Sequence, residues 1–187
     1  MPENKVIYGL KNVHYSVITE NEEGVTVYGV PVALKGAVEV SLDPRGETSD
    51  FYADDILYYT TVSNAGYEAT LTVANIPNDF RRDVLGETID ANDILTENTN
   101  DRGKKIAFLF EFDGDQKATR HLFYNCTVTR PSLGSATKTE TAEPRSQELT
   151  MICAPREDGT VKRSTSVDTP DAIYNAWYGA VYEVVAP

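Results

Sequence analysis

The sequence is short of cysteine, histidine, tryptophan and basic residues, and each shortage removes a class of function. Cys126 and Cys153 are the only two cysteines in 187 residues, too few for the disulfide framework of a small stapled domain. They stand on separate expected strands rather than as a closely spaced pair, which argues against zinc and predicts buried, reduced thiols, with cross-strand pairing as the alternative. The two histidines, His14 and His121, lie more than a hundred residues apart inside strand patterns and read as ordinary sheet positions. Only 17 bases face 29 acids, a formal net charge of −12. A chain without a basic face cannot grip phosphates, so sequence-specific nucleic-acid binding is excluded. No apolar run approaches the ~18 residues of a membrane helix. The start, Met1-Pro2-Glu3-Asn4-Lys5, leads into no apolar signal core, so the chain is expected to be intracellular when made.

What is present is strand. Apolar residues make up 41% of the chain, with eleven tyrosines and six phenylalanines, a content that argues against disorder. The dominant hydrophobic period is two. Val13, Tyr15 and Val17 alternate with polar neighbours, residues 24–30 repeat the pattern, and Val38, Val40 and Leu42 follow. Residues 51–61, 67–75, 105–112, 117–130 and 147–154 complete the expected strands. Asp43-Pro44-Arg45-Gly46, Ser63-Asn64-Ala65-Gly66, Asp113-Gly114-Asp115 and Glu157-Asp158-Gly159-Thr160 carry the residues of chain-reversing turns. In 117–130, Leu122, Tyr124, Cys126 and Val128 are expected on one face, opposite Phe123, Asn125 and Thr127.

Two segments read as short helices. Pro77 opens one, with Ile76, Phe80 and Val84 at i, i+4, i+8 and Gly86 as the stop. Thr169 and Pro170 cap and open the other, with Ile173 and Trp177 on one stripe, Tyr174 and Tyr178 beside it, and Gly179 at its end. Residues 83–101, acidic and without a base until Arg102, and the polar stretch 132–147 read as long loops. The expected fold is mainly β with one or two short helices, an antiparallel β-sandwich or barrel-like arrangement with long loops or arms.

Charge is uneven. Residues 1–100 hold 17 acids and 6 bases, and the remainder 12 and 11, which predicts one acidic face. No motif organises those acids into chemistry. Counted from Asp90, a calcium loop would need glycine at Leu95 and glutamate at Asp101, so that fit fails. Asp54 and Asp55, expected within a strand, would point to opposite faces and could not work as an acid–base pair. Asn125-Cys126-Thr127 matches the glycosylation triplet but lacks a secretory route. There is no nucleophile elbow, no phosphate-cradling glycine loop and no His-bearing metal motif. Neither an enzyme, a cofactor nor a metal is expected.

The order of several strings does have a counterpart. Tyr8-Gly9-Leu10-Lys11-Asn12-Val13-His14-Tyr15-Ser16-Val17, Ser41-Leu42-Asp43-Pro44 and Phe51-Tyr52-Ala53-Asp54 come first. Phe108-Leu109-Phe110-Glu111-Phe112-Asp113-Gly114-Asp115, Arg120-His121, Tyr124-Asn125-Cys126 and Thr129-Arg130-Pro131-Ser132 follow. Ala154-Pro155-Arg156-Glu157-Asp158-Gly159, then Tyr174-Asn175 with Trp177-Tyr178, complete the series. Taken in order, these resemble the major tail proteins of long-tailed, siphovirus-type bacteriophages and prophages over nearly the whole chain.

The resemblance implies a structural virion protein, residues 1–187 forming one tail-tube domain. Such a subunit assembles with itself as homo-hexameric rings stacked into a tube. It meets other tail proteins, such as tape measure and tail terminator, and lets DNA pass without specific binding. It implies a place in the virion tail after synthesis in the bacterial cytoplasm, with no membrane role. On that reading the acids Glu39, Glu47, Asp50, Asp54 and Asp55 are candidates to face the lumen, where like charge keeps a polyanion sliding. Lys138, Glu140, Glu143 and Arg145, in the polar loop at 132–147, are candidates for subunit contact. The rival is a β-sandwich carbohydrate- or host-binding module, whose sugar platform the tyrosines and the tryptophan would supply.

Overall fold

The period-two segments become strands of one large antiparallel sheet. The computed structural model describes residues 3–135, 137 and 145–184. In chain order the strands are β1 (Ile7–Glu20), β2 (Thr26–Tyr28), β3 (Val32–Ala33), β4 (Ala37–Pro44), β5 (Thr48–Ala53), β6 (Ile56–Val62) and β7 (Tyr67–Val73). Helix α1 (Asn78–Phe80) runs into a π-helical turn, Arg81–Leu85. Then come β8 (Thr88–Ile89), β9 (Leu95–Thr96), β10 (Ile106–Gly114), β11 (Thr119–Val128), β12 (Gln147–Cys153), β13 (Lys162–Ser164) and helix α2 (Asp171–Ala176). The sheet order is β2-β1-β10-β11-β12-β7-β4, with β3 on β1 and β13 on β11. The sheet does not close: β4 ends it, touching β1 without pairing. A mainly β, sandwich-like architecture with two short helices is what the alternation predicts.

One face of the sheet encloses the main core. Val13 and Tyr15 of β1, Leu71 and Val73 of β7, Phe108 and Phe110 of β10, and Leu149 and Met151 of β12 meet there. The helical segment plugs it through Ile76, Phe80 and Val84, at the expected i, i+4, i+8 spacing. Gly86 stops that segment in the left-handed region at φ 85°, a conformation glycine adopts without strain. Behind β10 and β11 a second cluster forms, where Ala107, Leu109, Leu122 and Tyr124 pack under Ile173, Trp177 and Tyr178. Strand β10 is therefore buried on both faces, which is why Ile106-Ala107-Phe108-Leu109-Phe110 is apolar without a break. Each large side chain so buried contributes roughly 1.5–3 kcal/mol.

Five local expectations are corrected. Strand β11 does not alternate cleanly: Ile106 pairs Cys126 but Phe108 pairs Phe123, so one extra residue bulges between them. The bulge puts Phe123 in the main core with Cys126, while Leu122 and Tyr124 face the second cluster. Residues 83–101 are not one open loop, because β8 and β9 pair as a small hairpin closed by Asp90, whose Oδ1 accepts from the amides of Asn92 and Ile94. Thr169 does not cap α2, since its hydroxyl accepts from Ser166 N instead.

The remaining two concern residues 43–66. Neither Asp43-Pro44-Arg45-Gly46 nor Ser63-Asn64-Ala65-Gly66 reverses the chain. The two stretches run side by side, with Arg45 N donating to Gly66 O (2.8 Å) and Ala65 N to Arg45 O (2.8 Å). Their small residues permit close approach: a Cβ on Gly46 would stand 2.1 Å from Ser63 O, and one on Gly66 2.0 Å from Cys153 O. Pro44 is tolerated because β4 is an edge strand. The reversal comes later, at Asp54 (φ 54°) and Asp55 (φ 59°). Those two aspartates are the corner of a hairpin with both central residues left-handed, not strand residues on opposite faces.

Candidate assembly surfaces

Beyond Arg45 and Gly66 the chain leaves the sheet as a separate hairpin, β5–β6, paired from Thr48↔Val62 to Ala53↔Ile56. At ~3.3 Å per residue the six residues of β5 extend it about 20 Å. Every residue of the hairpin except Ala53, which is half-buried, is exposed. Its composition is nevertheless that of a core: Phe51 (59%), Tyr52 (62%), Ile56 (62%), Leu57 (52%), Tyr58 (71%) and Tyr59 (62%) are all more than half exposed. Phe51 opposes Tyr59 on one face, and Tyr52 opposes Leu57 on the other. A contiguous apolar surface of this kind marks an interaction site, because water exacts a cost for it that burial against a partner removes. Glu47, Asp50, Asp54 and Asp55 sit on the same hairpin, and no Lys or Arg occurs between Arg45 and Arg81. Asp50 accepts the Thr60 hydroxyl at 2.7 Å.

A second surface is acidic. On β4, β7 and β12 the residues facing away from the core are in register. Glu39 and Glu148 flank Thr72, Ser41 and Thr150 flank Thr70, and Asp43 and Ile152 flank Glu68. Four acids, Glu39, Asp43, Glu68 and Glu148, therefore share one face, and none of the three strands contains a base. Asp43 and Glu68 are directly opposite one another, an arrangement that costs stability in a sheet.

Thus Glu39 stands on this acidic face, whereas Glu47, Asp50, Asp54 and Asp55 stand on the projecting hairpin. Of the loop residues singled out in the sequence, Arg145 is exposed, and Lys138, Glu140 and Glu143 lie outside the described residues. Asp43, Glu68 and Glu148 were missed by sequence reasoning. The available signal was three strands with acids at the polar positions and no base.

A buried ionic node holds the C-terminal segment on the sheet. Glu111 of β10 accepts from Asn12 Nδ2 (2.7 Å), Arg120 Nε (2.9 Å) and the Tyr178 hydroxyl (3.2 Å). The Arg120 guanidinium lies 3.8 Å from the Tyr174 ring centre and also donates to Tyr174 O. Burial, reinforced by the Glu111 charge, pushes the Tyr178 hydroxyl far above its ordinary pKa, so it remains a donor.

The two histidines are not brought together. His14 stacks on Tyr178 at 4.5 Å. His121 stacks on Phe110 at 5.1 Å, and burial, with Lys162 nearby, lowers its pKa to about 4. Among the described residues no group of three or more His, Cys, Asp or Glu side chains could hold a metal ion. No helix in the described residues is long and apolar enough to cross a membrane. The cysteines, by contrast, meet. Cys126 and Cys153 are directly opposite in the β11–β12 ladder, with Sγ–Sγ 2.7 Å.

A solved structure titled as the anti-feeding prophage cap, a tube-terminating cap, is similar at 11% identity over 89% of this chain and 97% of that one, with a TM-score of 0.47. No curated protein matches the chain. The family model described as phage tail tube protein matches residues 2–181, nearly the full length. The chain belongs to the phage tail tube protein family, and it is a structural component of the virion tail.

Proposed function

We propose that this chain is the major tail-tube subunit, that it polymerises as stacked homo-hexameric rings, and that its function is conduction of DNA rather than catalysis. The observation that carries this reading is the β5–β6 hairpin, whose six large apolar side chains are each left more than half exposed by the lone subunit. A second copy supplies the cover: the hairpin reaches beyond its own sheet and lands on the next ring. Residues 1–187 act as one tail-tube domain, and the loop at 132–147 with Lys138, Glu140, Glu143 and Arg145 adds ring contacts. Tape measure and tail terminator proteins are its partners in the tail, and it is made in the bacterial cytoplasm. The test is direct. Concentrated full-length protein, alone or with its tail partners, will show rings or tubes by negative-stain electron microscopy. A strict monomer under all these conditions overturns the reading and favours the binding-module alternative, for which the exposed Tyr52, Tyr58 and Tyr59 would be the sugar platform.

The acidic face of β4, β7 and β12 is the channel wall on this reading. A wall lined by Glu39, Asp43, Glu68 and Glu148 repels phosphate and leaves DNA mobile, while a base there would capture phosphates in a salt-dependent way. This moves the wall from the hairpin acids Glu47, Asp50, Asp54 and Asp55 to the sheet, keeping Glu39. Particles carrying Glu39→Lys with Glu148→Lys will assemble normally, since both residues are exposed, and will eject DNA more slowly at low than at high salt. Unchanged ejection kinetics at low salt would remove these strands from the wall.

A further inference from the structure

We propose that Cys126 and Cys153 are an oxidation site, closing to a cross-strand disulfide that ties β11 to β12. Three observations carry it. The two residues are directly opposed in the ladder, and their sulfurs are 2.7 Å apart; they are the only two cysteines in the sequence. The ladder hydrogen bonds fall on the neighbouring pairs: Ala154 N donates to Asn125 O (2.9 Å), and Thr129 N to Thr150 O (2.9 Å). Counting in steps of two, 125/154, 127/152 and 129/150 are the hydrogen-bonded pairs, so 126/153 is a non-hydrogen-bonded pair. In such a pair the Cα atoms lie ~4.5 Å apart and the side chains are closest, inside the ~4.4–6.8 Å window that a disulfide tolerates. Finally, both side chains are fully buried and neither is engaged by any proposed surface.

Burial also sets the rate. The apolar surroundings, then the neighbouring Cys153 thiol, raise the Cys126 pKa well above its ordinary value, so little thiolate is present and oxidation is slow. Full burial of both sulfurs favours a small, uncharged oxidant, for which hydrogen peroxide is taken. Cys126 thiolate attacks hydrogen peroxide, breaking the O–O bond and leaving a sulfenic acid and hydroxide. Cys153 sulfur then displaces the sulfenic hydroxyl as water, forming Sγ–Sγ. Two thiols and one peroxide become one disulfide and two waters. The reducing cytosol holds the site as two thiols during synthesis, and release into an oxidising medium closes it. That setting rests on the tail-tube reading, but the bond itself does not.

The experiment uses the full chain, purified reduced and incubated with hydrogen peroxide for hours. It is then denatured, alkylated with iodoacetamide and weighed intact, with peptide mapping. The expected product is 2 Da lighter than the reduced chain (two hydrogens lost), takes up no iodoacetamide, and yields a linked Cys126–Cys153 peptide. It will melt roughly 5–10 °C higher, because the bond closes a long loop. Under the same treatment Cys153→Ala will gain no thermal stability. Thiols that remain alkylatable, bonds between chains, or sulfinic and sulfonic products without a linked peptide would overturn the site. Because the readout is made on the unassembled chain, its failure leaves the tube reading intact, and a failure to form tubes leaves the disulfide standing.

Discussion

Replacing Tyr52, Leu57 and Tyr59 together by serine will abolish tube formation while leaving the subunit's own melting temperature within about 2 °C of the parent. The two halves follow from the same fact. All three side chains are more than half exposed in the subunit, so their loss removes nothing from its core. In an assembled tube they supply three of the six large apolar side chains that the hairpin offers to the contact. Buried aromatic and aliphatic anchors at an interface are each worth ~1–2 kcal/mol or more when truncated. Three per subunit amount to roughly 4–5 kcal/mol, a rise in critical concentration of about a thousandfold. Sedimentation and negative-stain images across a concentration series measure it. Tubes that form at the parental concentration would show that the hairpin is not the contact. A large loss of thermal stability would show that it packs on its own subunit.

The sheet was legible in the sequence where one rule decided it. Val13 and Tyr15, the alternate residues Ile106, Phe108, Phe110 and Phe112, and Ile76, Phe80 and Val84 all fall where periodicity puts them. The hairpin was hidden because its signals were exchanged. Pro44, Gly46 and Gly66, the strongest punctuation, serve a close crossing of two extended stretches. The true reversal uses Asp54-Asp55, without the glycine that normally accompanies two left-handed residues. Aspartate tolerates that conformation through its short polar side chain, but so weakly that no rule selects it over a Pro-Gly tetrad. The acidic face was only partly visible for a different reason. Glu39 follows a break in register that leaves Val38 exposed and turns Ala37 to the core in place of the expected Val38, and Asp43, Glu68 and Glu148 join it only once β7 is known to stand between β4 and β12. That register is a long-range choice made by packing. The opposition of the two cysteines is another consequence of it, hidden in a sequence where 126 and 153 are merely two isolated thiols.

Glu111→Ala will be the most damaging single substitution in the ionic node, costing about 3–5 kcal/mol, because it leaves the Arg120 guanidinium buried beside the second cluster without its countercharge. The side chains of Arg120 and Glu111 are 15% and 7% exposed, so water cannot replace the missing partner. Tyr178 loses its acceptor in the same stroke, and Asn12 loses the one that its Nδ2 donates to. The damage should begin at the C-terminal segment. Tyr174 and Tyr178 are held by Arg120 and Glu111, and Trp177 lies between them against Leu109 and Leu122. Trp177 is also the chain's one tryptophan, so its fluorescence reports this cluster alone. In Glu111→Ala that emission will shift to the red at lower denaturant than the loss of far-ultraviolet strand signal, and the parent will show the two transitions together. Glu111→Leu with Arg120→Met removes both charges and will recover the part of the loss that comes from the unpaired guanidinium, while Tyr178 and Asn12 stay without their acceptor. With Glu111→Leu and Arg120→Met also made singly, the coupling between the sites is the difference between the double variant and the sum of these two singles. Additive losses, with coincident transitions in every variant, would mean that the segment is held by its aromatic packing and that the ion pair contributes nothing.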